Sequence, residues 1–295
     1  RAGGWPVLVL GGGCNLVGGD GGFDGLVVRV GLEGRSVASD GDVWAAAGES
    51  WDGLVRATVE AGLAGFECLS GIPGTVGATP IQNVGAYGRE VSELVTEVRV
   101  LDRATLAVSS LLPEECGFGY RDSRFKREPD RHVVLSVRYR LDARGRPLVR
   151  YPELARRLPE APSVAMVREA VLALRREKSM VLDPVDPNRR SAGSFFTNPV
   201  LEAAEAEEVA RRAEGAGLSA RAMPRFETPD GRVKLSAAWL IERSGMVKGT
   251  RRGPVGISSH HCLALVHHGG GATADLLGLA AEVRARVEEK FGRSE

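Results

Sequence analysis

The sequence predicts an α+β protein with about two domains, and three observations support this class. Residues 40–140 contain several predicted strands and a single clear helix, whereas residues 189–290 contain three predicted helices and one strand. Between these parts, residues 182–188 hold two prolines and are the best candidate for a linker. The length of 295 residues, with 43% hydrophobic and 26% charged side chains, is sufficient for a substantial buried core.

The first part of the chain begins with two apolar runs that are separated by glycines. The run Trp5–Leu10 contains β-branched residues and predicts a buried strand. Much later in this part, Ser163 is the predicted N-cap of a helix. The predicted elements of this part are, in order, the strands Trp5–Leu10, Leu26–Val30 and Asp42–Ala47, the helix Trp51–Ala61, the strands Val95–Asp102 and Val133–Leu141, and the helix Ser163–Lys178.

The second part contains two pairs of adjacent histidines, His260–His261 and His267–His268, around a predicted strand. Alternation along a strand directs adjacent side chains to opposite faces, and no carboxylate or thiol completes a ligand set in the sequence. A metal site is therefore not expected here. The predicted elements of this part are the helices Glu202–Gly215 and Ala237–Ser244, the strand Cys262–Val266 and the helix Thr273–Phe291.

The segment Phe66–Gly88 is rich in glycine and contains two prolines, yet it keeps apolar residues at scattered positions. This glycine density excludes a helix, and the prolines exclude a central strand. The apolar residues require packing, so the segment is an ordered backbone rather than a flexible linker. Such a backbone lets a ligand approach closely and directs N–H groups toward an anion. The segment predicts a cradle for a large phosphate-bearing cofactor, with a plain surface loop as the alternative.

A second glycine cluster, Gly11–Asn15, follows the first predicted strand. The dinucleotide-binding fingerprint requires a helix directly after such a turn, but here the chain continues into another glycine patch and a second strand. A pyrophosphate cradle between strands is therefore favoured over a Rossmann fold.

Six blocks of sequence occur in a fixed order: Gly11–Asn15, Ser70–Gly74, Pro80–Gly88, Gly119–Lys126, Ser191–Pro199 and Lys234–Ile241. Together they resemble the motifs of the UDP-N-acetylenolpyruvoylglucosamine reductase family, from about Pro6 to Phe291. The resemblance implies a vanillyl-alcohol-oxidase-type FAD-binding domain followed by an α/β substrate-binding domain. It also implies FAD-mediated, NADPH-dependent reduction of a UDP-sugar enolpyruvyl ether to UDP-N-acetylmuramate. This reaction belongs to peptidoglycan precursor synthesis in the cytoplasm.

The resemblance also implies a domain organisation and a set of flavin contacts. Residues 1–32 would complete an N-terminal lobe, residues 33–186 would form the main FAD-binding domain with a tyrosine loop, and residues 187–292 would form the substrate-binding domain. The implied flavin-binding residues are Gly11, Gly12, Gly13, Cys14, Asn15, Ser70, Gly71, Ile72, Gly74, Thr75, Gly77, Gln82, Asn83, Gly85, Ala86, Tyr87 and Gly88.

Two residues carry the implied chemistry. Hydride addition to the enol ether builds negative charge on the substrate carboxylate, and the guanidinium of Arg121 is suited to hold that charge. The enolate is basic enough to be protonated by a positioned hydroxyl, and Ser194 is the implied proton donor. We expect no histidine near Ser194 that could make it a nucleophile, so acyl transfer is disfavoured. Phe195 and Phe196 exclude water from the site, pack in the core, or do both.

Four further residues match family positions that contact the UDP-sugar: Tyr151 in the tyrosine loop, Lys178, Asn198 and Lys234. For each lysine, a solvated surface charge is the alternative interpretation. Cys14 stands where the family usually has serine, and a thiol is the weaker hydrogen-bond donor.

The composition excludes several other classes of function. A net charge of +1 gives no electrostatic reason to expect nucleic-acid binding, and no apolar run approaches the roughly 20 residues that span a bilayer. The four cysteines lie far apart and predict neither a disulfide framework nor a zinc site. We expect a monomer with a small-molecule substrate.

Family members normally have further structure upstream of this sequence and a terminal strand that carries a catalytic glutamate; no matching motif occurs here. This difference keeps a second hypothesis open, a non-catalytic flavin- or nucleotide-binding remnant. A flavin oxidase of similar fold is a third hypothesis, which the block Ser191–Pro199 disfavours.

Overall fold

The computed structural model describes residues 4–228 and 230–292, which form two compact units. The first unit comprises residues 4–14 and 23–182, and the second comprises residues 15–22 and the described residues from 183 onward. Helices and strands occur in both units, which confirms the predicted α+β class. Within the described residues, no helix is both long enough and apolar enough to cross a membrane.

Most predicted elements are present within one or two residues of their expected bounds. The helices are α1 Trp51–Glu60, α2 Arg124–Arg127, α3 Pro152–Ala155, α4 Val164–Glu177, α5 Ala203–Gly215, α6 Ala237–Arg243 and α7 Thr273–Phe291. The strands are β1 Val7–Leu10, β2 Leu26–Arg29, β3 Arg35–Val37, β4 Asp42–Ala46, β5 Gly85–Ala86, β6 Arg89–Glu90, β7 Val95–Asp102, β8 Val108–Leu111, β9 His132–Arg140, β10 Ser191–Ser194, β11 Val200–Leu201, β12 Arg225–Glu227, β13 Val233–Leu235, β14 Arg251–Arg252, β15 Val255–Ile257 and β16 Ala264–His267.

The first unit is built on a five-stranded antiparallel sheet in the order β3-β4-β9-β7-β8. Helix α1 begins at Ser50, whose hydroxyl accepts the N–H of Gly53 at 3.3 Å, as expected of an N-cap. The Phe66 ring packs edge to face against Trp51 of this helix and Tyr139 of β9. This packing fixes the start of the glycine-rich segment against the core.

The strands β1 and β2 pair in parallel and form a separate two-stranded sheet. The prediction of a buried first strand is wrong: residues of β1 are only half-buried, and Trp5 is 68% exposed. Every residue of β2 is exposed. The physical reason is that two strands on their own cover neither face of the sheet.

Helix α4 packs against the start of the glycine-rich segment. It begins after Ser163, whose hydroxyl accepts the N–H of Met166 at 3.2 Å, so the predicted N-cap is confirmed. Val167, Val171 and Leu174 pack with Cys68 in a small buried cluster. The helix therefore holds the short 3₁₀ turn Glu67–Leu69 that leads into the cradle.

The second unit contains two antiparallel sheets, in the orders β10-β16-β15-β14 and β11-β13-β12. Helices α5, α6 and α7 pack around one core that includes Phe196, Leu240, Val283 and Phe291. Phe196 is buried in this core and Phe195 packs against it, with the two ring centroids 5.3 Å apart. Core packing therefore accounts for the Phe pair.

The glycine-rich segment 15–22 joins the second unit at the N-terminus of α7. The Thr273 N–H donates to both carboxylate oxygens of Asp20, at 3.0 and 2.9 Å, and the Thr273 hydroxyl donates to Gly18 O at 2.6 Å. A carboxylate at this position satisfies an N–H that the helix leaves unpaired and complements the helix dipole.

Candidate functional site

The two predicted glycine motifs meet in the first unit. A Cβ atom built on Gly11 would lie 2.8 Å from Thr75 Oγ1, and one on Gly12 would lie 3.1 Å from Gly74 Cα. A side chain at Gly11 or Gly12 would crowd the segment that contains Gly74 and Thr75. Gly74 has a φ of +119°, and no atom lies within 4 Å of the Cβ position in front of it. The motifs thus border open space, which fits the cofactor cradle that the sequence predicts.

The side chains of the cradle are largely engaged within the protein. The Ser70 hydroxyl donates to Glu67 O at 2.7 Å, and the Asn83 amide donates to Glu90 Oε2 and to Gly119 O, at 2.9 Å each. Asn83 is 1% exposed and has a φ of +44°. The side chains of Ser70 and Asn83 therefore fix the shape of the loop.

Gly71 is anchored by an ion pair that the sequence analysis missed. Its N–H donates to Asp52 Oδ1 at 2.6 Å, and Arg168 binds the same carboxylate through two hydrogen bonds of 2.7 and 2.8 Å. Burial acts to raise the pKa of Asp52, but the bonds from Arg168 and Gly71 lower it overall. Asp52 therefore stays ionised and holds the cradle backbone to α1 and α4.

Arg121 is bound to the cradle by its guanidinium. Nη1 donates to Asn83 O at 3.2 Å, Nη2 donates to Gly85 O, and Glu90 Oε1 lies 3.9 Å from Nη1. The guanidinium carbon lies 5.3 Å from the centroid of the Tyr120 ring, and the residue has a φ of +53°. These contacts fix a half-buried cation in one place, at some cost in backbone strain.

The tyrosine loop, Lys178 and the cradle residue Tyr87 lie together. The rings of Tyr87 and Tyr151 pack edge to face with centroids 5.5 Å apart, and Lys178 Nζ lies 5.9 Å from the Tyr87 ring centroid. Lys178 also forms a 2.7 Å ion pair with Glu153. Lys178 is therefore not a solvated surface charge in this structure, and Glu153 is a partner that the sequence analysis did not find.

Ser194 is the last residue of β10 and is exposed. A register shift occurs between Ser191 and Ser194, and Gly193 between them has a φ of +76°. Ser194 Oγ lies 3.2 Å from Nε2 of His261, within hydrogen-bond distance. The expectation that no histidine lies near Ser194 is wrong, because β16 pairs with β10 and brings His261 from the neighbouring strand end.

His261 lies in a turn that precedes the strand β16. Its backbone N–H donates to the hydroxyl of buried Ser258 at 3.3 Å, and β16 begins only at Ala264. His267 is the last residue of that strand, so the histidine pairs do not alternate along it. Within residues 4–228 and 230–292, no group of three His, Cys, Asp or Glu side chains is placed to hold a metal ion.

The remaining candidate residues are found in separate parts of the two units. Asn198 Oδ1 accepts the N–H of Ala237 at 3.0 Å, and Lys234 Nζ lies 5.7 Å from the Phe226 ring centroid. Cys14 is partly buried, and its thiol donates to Gly12 O at 3.4 Å. Burial raises the pKa of the Cys14 thiol, which keeps it a neutral donor.

Comparisons with known proteins cover both parts of the chain. Residues 183–294 match the family model described as UDP-N-acetylenolpyruvoylglucosamine reductase, C-terminal domain, and residues 1–106 match that of an FAD binding domain. The chain is 53% identical over 298 residues to a UDP-N-acetylenolpyruvoylglucosamine reductase from Thermobifida fusca, covering 97% of this chain and 83% of that protein. The chain belongs to the UDP-N-acetylenolpyruvoylglucosamine reductase family.

Two further members of the reductase family also match nearly the whole chain. The Saccharopolyspora erythraea protein is 53% identical over 305 residues, covering 99% of this chain and 83% of its own length. The crystal structure of the Thermus caldophilus reductase is 27% identical, with a TM-score of 0.64, over 100% of this chain and 85% of that one. The predicted order of domains, an FAD-binding domain followed by the C-terminal domain of the reductase family, is confirmed.

Sequence reasoning missed several residues that support the reductase motifs. Arg168 and Arg175 lie seven residues apart on α4, at positions where a helix usually buries apolar side chains, and both are buried. Basic residues on the buried face were the signal that could have identified them. No such signal marked His261 and Glu153 in the sequence. Their partners, Ser194 and Lys178, lie 67 and 25 residues away along the chain.

Proposed function

We propose that this chain catalyses the NADPH-dependent reduction of UDP-N-acetylglucosamine enolpyruvate to UDP-N-acetylmuramate, with FAD as cofactor. The observation that carries the proposal is the identity of about half of all residues to reductases over 97% of the chain or more. The reaction consumes NADPH, one proton and the enolpyruvyl ether, and yields NADP⁺ and the lactyl ether. This reaction supplies a peptidoglycan precursor.

The cradle of the first unit is the proposed site of FAD. The close approach of Gly11 and Gly12 to Gly74 and Thr75, beside open space, supports this assignment. Gly11, Gly12, Gly13, Cys14 and Asn15, with the residues of the segment 70–88 that the motifs identify, would contribute mainly backbone contacts. The chemistry that FAD supplies when bound is hydride transfer to the enolpyruvyl double bond.

Arg121 is the proposed electrostatic catalyst. Carbonyl groups of Asn83 and Gly85 fix its guanidinium, and the Glu90 carboxylate lies 3.9 Å away on one side of it. A fixed cation stabilises the negative charge that develops on the substrate carboxylate more strongly than a mobile one, because no reorganisation is needed.

Ser194 is the proposed donor of the proton to the α-carbon of the substrate. Its exposed hydroxyl is positioned by Nε2 of His261 at 3.2 Å. When Nε2 carries the hydrogen and donates it to Oγ, the serine keeps its own proton for the substrate and the developing alkoxide is stabilised. His261 is thus a positioning residue for Ser194.

Tyr151, Lys178, Asn198 and Lys234 are the proposed contacts to the UDP-sugar. Lys178 and Tyr151 lie beside the cradle residue Tyr87, which supports their role near the cofactor. We further propose that the protein acts as a monomer in the cytoplasm, because NADPH and UDP-sugars are cytoplasmic metabolites and because the family motifs that form the site lie within one chain.

The test is a product assay with the enolpyruvyl sugar nucleotide, NADPH and the FAD-loaded chain. We expect a product two mass units heavier than the substrate, formed with equal consumption of NADPH. The Ser194→Ala variant is expected to form product at least about 10²-fold more slowly, a typical loss for a general acid. Tight FAD binding without product formation would favour the flavin-binding remnant instead.

A further inference from the structure

Asn188 is a buried polar residue that binds the loop carrying His261. This loop, residues 258–263, connects β15 to β16, and we term it the His261 loop. Asn188 is only 4% exposed, although it ends the segment 182–188 that the sequence predicted as a linker. A buried amide is costly unless it is hydrogen-bonded, and Asn188 finds partners in the His261 loop.

The backbone of Ser259 fixes the orientation of the Asn188 amide. The Ser259 N–H donates to Asn188 Oδ1 at 3.1 Å, and a backbone N–H can only donate. Oδ1 therefore faces the loop backbone, and Nδ2 donates to Ser259 Oγ at 3.0 Å. Nδ2 also donates to Asp186 Oδ1 at 3.3 Å, and the same oxygen accepts the Asn188 N–H at 2.7 Å. The amide is thus held between its own segment and the His261 loop.

The hydroxyl of Ser258 extends this restraint to His261. Ser258 is 1% exposed, and its Oγ accepts the backbone N–H groups of His260 and His261 at 3.2 and 3.3 Å. The His261 carbonyl accepts the N–H of Ala264, the first residue of β16, at 3.0 Å. The backbone that carries the His261 ring is therefore fixed by Ser258 on one side and by β16 on the other.

Asn188 also lies close in sequence to the strand that carries Ser194. It precedes β10, which begins at Ser191 and ends at Ser194. The pairing of β10 with β16 is irregular between these two serines, so the ladder restrains the end of β10 less than a regular ladder would. The bonds from Asn188 are a second connection between the segment of Ser194 and the loop of His261.

We propose that Asn188 is a positioning residue for the proton transfer, because it holds the His261 loop where Nε2 of His261 lies 3.2 Å from Ser194 Oγ. Asn188 acts through His261 and not on the substrate. The assignment rests on the roles that the proposed function gives to Ser194 and His261. Without the amide of Asn188, the loop gains other conformations, and the hydrogen bond to Ser194 forms for a smaller fraction of the time.

The experiment uses two variants of Asn188, each also made in the His261→Phe background. Asn188→Ala removes the whole amide, whereas Asn188→Asp keeps its size and the acceptor for the Ser259 N–H but removes the Nδ2 donor. Ser244→Ala is the control, because its hydroxyl donates to Ile241 O at 2.8 Å in the same unit. For each FAD-loaded protein, the rates of flavin bleaching by NADPH and of reoxidation by the enolpyruvyl sugar nucleotide are measured in H₂O and in D₂O.

We expect reoxidation to slow at least about threefold in both Asn188 variants, the loss of a hydrogen bond of ordinary strength, with bleaching within twofold of the wild type. The solvent isotope effect on reoxidation should rise, because proton transfer becomes a larger part of the barrier. In the His261→Phe background, the same changes should cost less than twofold, because the contact that Asn188 supports is already absent. Ser244→Ala should match the wild type in both rates.

An NMR measurement separates this inference from the proposed function, because it needs no turnover. The chain has five histidines, and the ring signal that His261→Phe removes is that of His261. Ser194→Ala should shift this signal in the otherwise wild-type chain, and by less than half as much in the Asn188→Ala or Asn188→Asp background. A wild-type chain that does not reduce the sugar nucleotide would refute the proposed function, while this comparison would still test whether Asn188 holds His261 at Ser194.

Three results would overturn the proposal. Ser194→Ala could shift the His261 signal equally with and without the Asn188 amide. Reoxidation could stay within twofold of the wild type in both Asn188 variants. Alternatively, the Asn188 variants could slow bleaching as much as reoxidation, or lose a further threefold in the His261→Phe background, which would show that Asn188 only stabilises the fold.

Discussion

Ser194 Oγ and His261 Nε2 lie 3.2 Å apart, although 67 residues separate them in the sequence. The pairing of β10 with β16 produces this contact, since Ser194 lies opposite Ala264 in the ladder and His261 is three residues before Ala264. The proposed proton transfer from Ser194 requires that His261 donates to the serine oxygen. In this proposal, the His–Ser pair protonates a carbon atom of the substrate. It does not activate Ser194 as a nucleophile.

Replacing His261 tests this assignment. We expect His261→Phe to lower the rate of substrate reduction about tenfold, because the ring remains but the hydrogen bond to Ser194 is lost. His261→Gln should retain more of the rate, since its amide N–H can still donate. Single-turnover reoxidation of reduced flavin by the substrate measures the effect, with exposed His268→Phe as the control. An additional tenfold loss from His261→Phe in a Ser194→Ala background would contradict a role through Ser194.

Replacing Arg121 by lysine tests the electrostatic role. Lysine keeps the charge but cannot reach the carbonyl groups of Asn83 and Gly85 while also binding a carboxylate bidentately. We expect kcat to fall by about 10²-fold with FAD binding retained. Exposed Arg146→Lys is the matched control, and a kcat within threefold of the wild type for Arg121→Lys would refute the role.

The ion pair between Lys178 and Glu153 predicts competition for the substrate. Because Lys178 Nζ is held by Glu153 at 2.7 Å, a UDP-sugar that binds this lysine must displace the carboxylate. Glu153→Gln should lower the KM for the sugar nucleotide about two- to fivefold, the range of a partly exposed ion pair, with kcat unchanged. Lys178→Met should raise the KM, and Glu160→Gln, at an exposed position, should change neither constant. A raised KM in Glu153→Gln would show that the carboxylate assists binding.

Glu67 predicts a specific dependence of stability on pH. Burial raises the pKa of this fully buried carboxyl, while the Gly65 N–H at 2.5 Å acts in the opposite direction. A raised pKa in the folded state means that the protonated form is favoured on folding. The stabilising contribution is therefore complete below the unfolded pKa and is lost as the pH rises through the folded pKa.

Glu67→Gln removes this titration and can still accept the Gly65 N–H. Relative to the wild type, its free energy of unfolding should rise between pH 4 and pH 8, by about 1.4 kcal/mol for each unit by which folding raises the Glu67 pKa. Urea denaturation of both proteins at the two pH values gives the difference between their free energies of unfolding. Other groups titrate equally in both proteins, so their contributions cancel in this difference. A constant difference across the range would mean that Glu67 does not titrate with folding.

The sequence predicted local structure well where residues near one another decide it. Ser163 identifies the start of α4 because an N-cap acts within three residues, and β7 has the predicted bounds because its apolar alternation is a property of one strand. The glycine motifs were also interpreted correctly as packed and ordered, since a Cβ atom on Gly12 would lie only 3.1 Å from Gly74 Cα.

The contacts that the sequence could not predict are those set by the pairing of distant segments. His261 reaches Ser194 through the β10–β16 ladder, and Asp20 caps α7 from the other end of the chain. β1 is only half-buried because it pairs with a single strand, β2. The apolar run in the sequence does not show how many strands will flank it. The division into three domains and the individual flavin and substrate contacts stay predictions.

The central claim is that FAD in this chain passes electrons from NADPH to the enolpyruvyl sugar nucleotide, with Ser194 as the proton donor. An anaerobic absorbance record of the FAD-loaded wild type and of Ser194→Ala tests both steps. We predict that NADPH bleaches the flavin band in both proteins and that the substrate restores it rapidly only in the wild type. Rapid restoration in Ser194→Ala would contradict the assignment of Ser194, and bleaching without restoration in the wild type would contradict the reductase function itself.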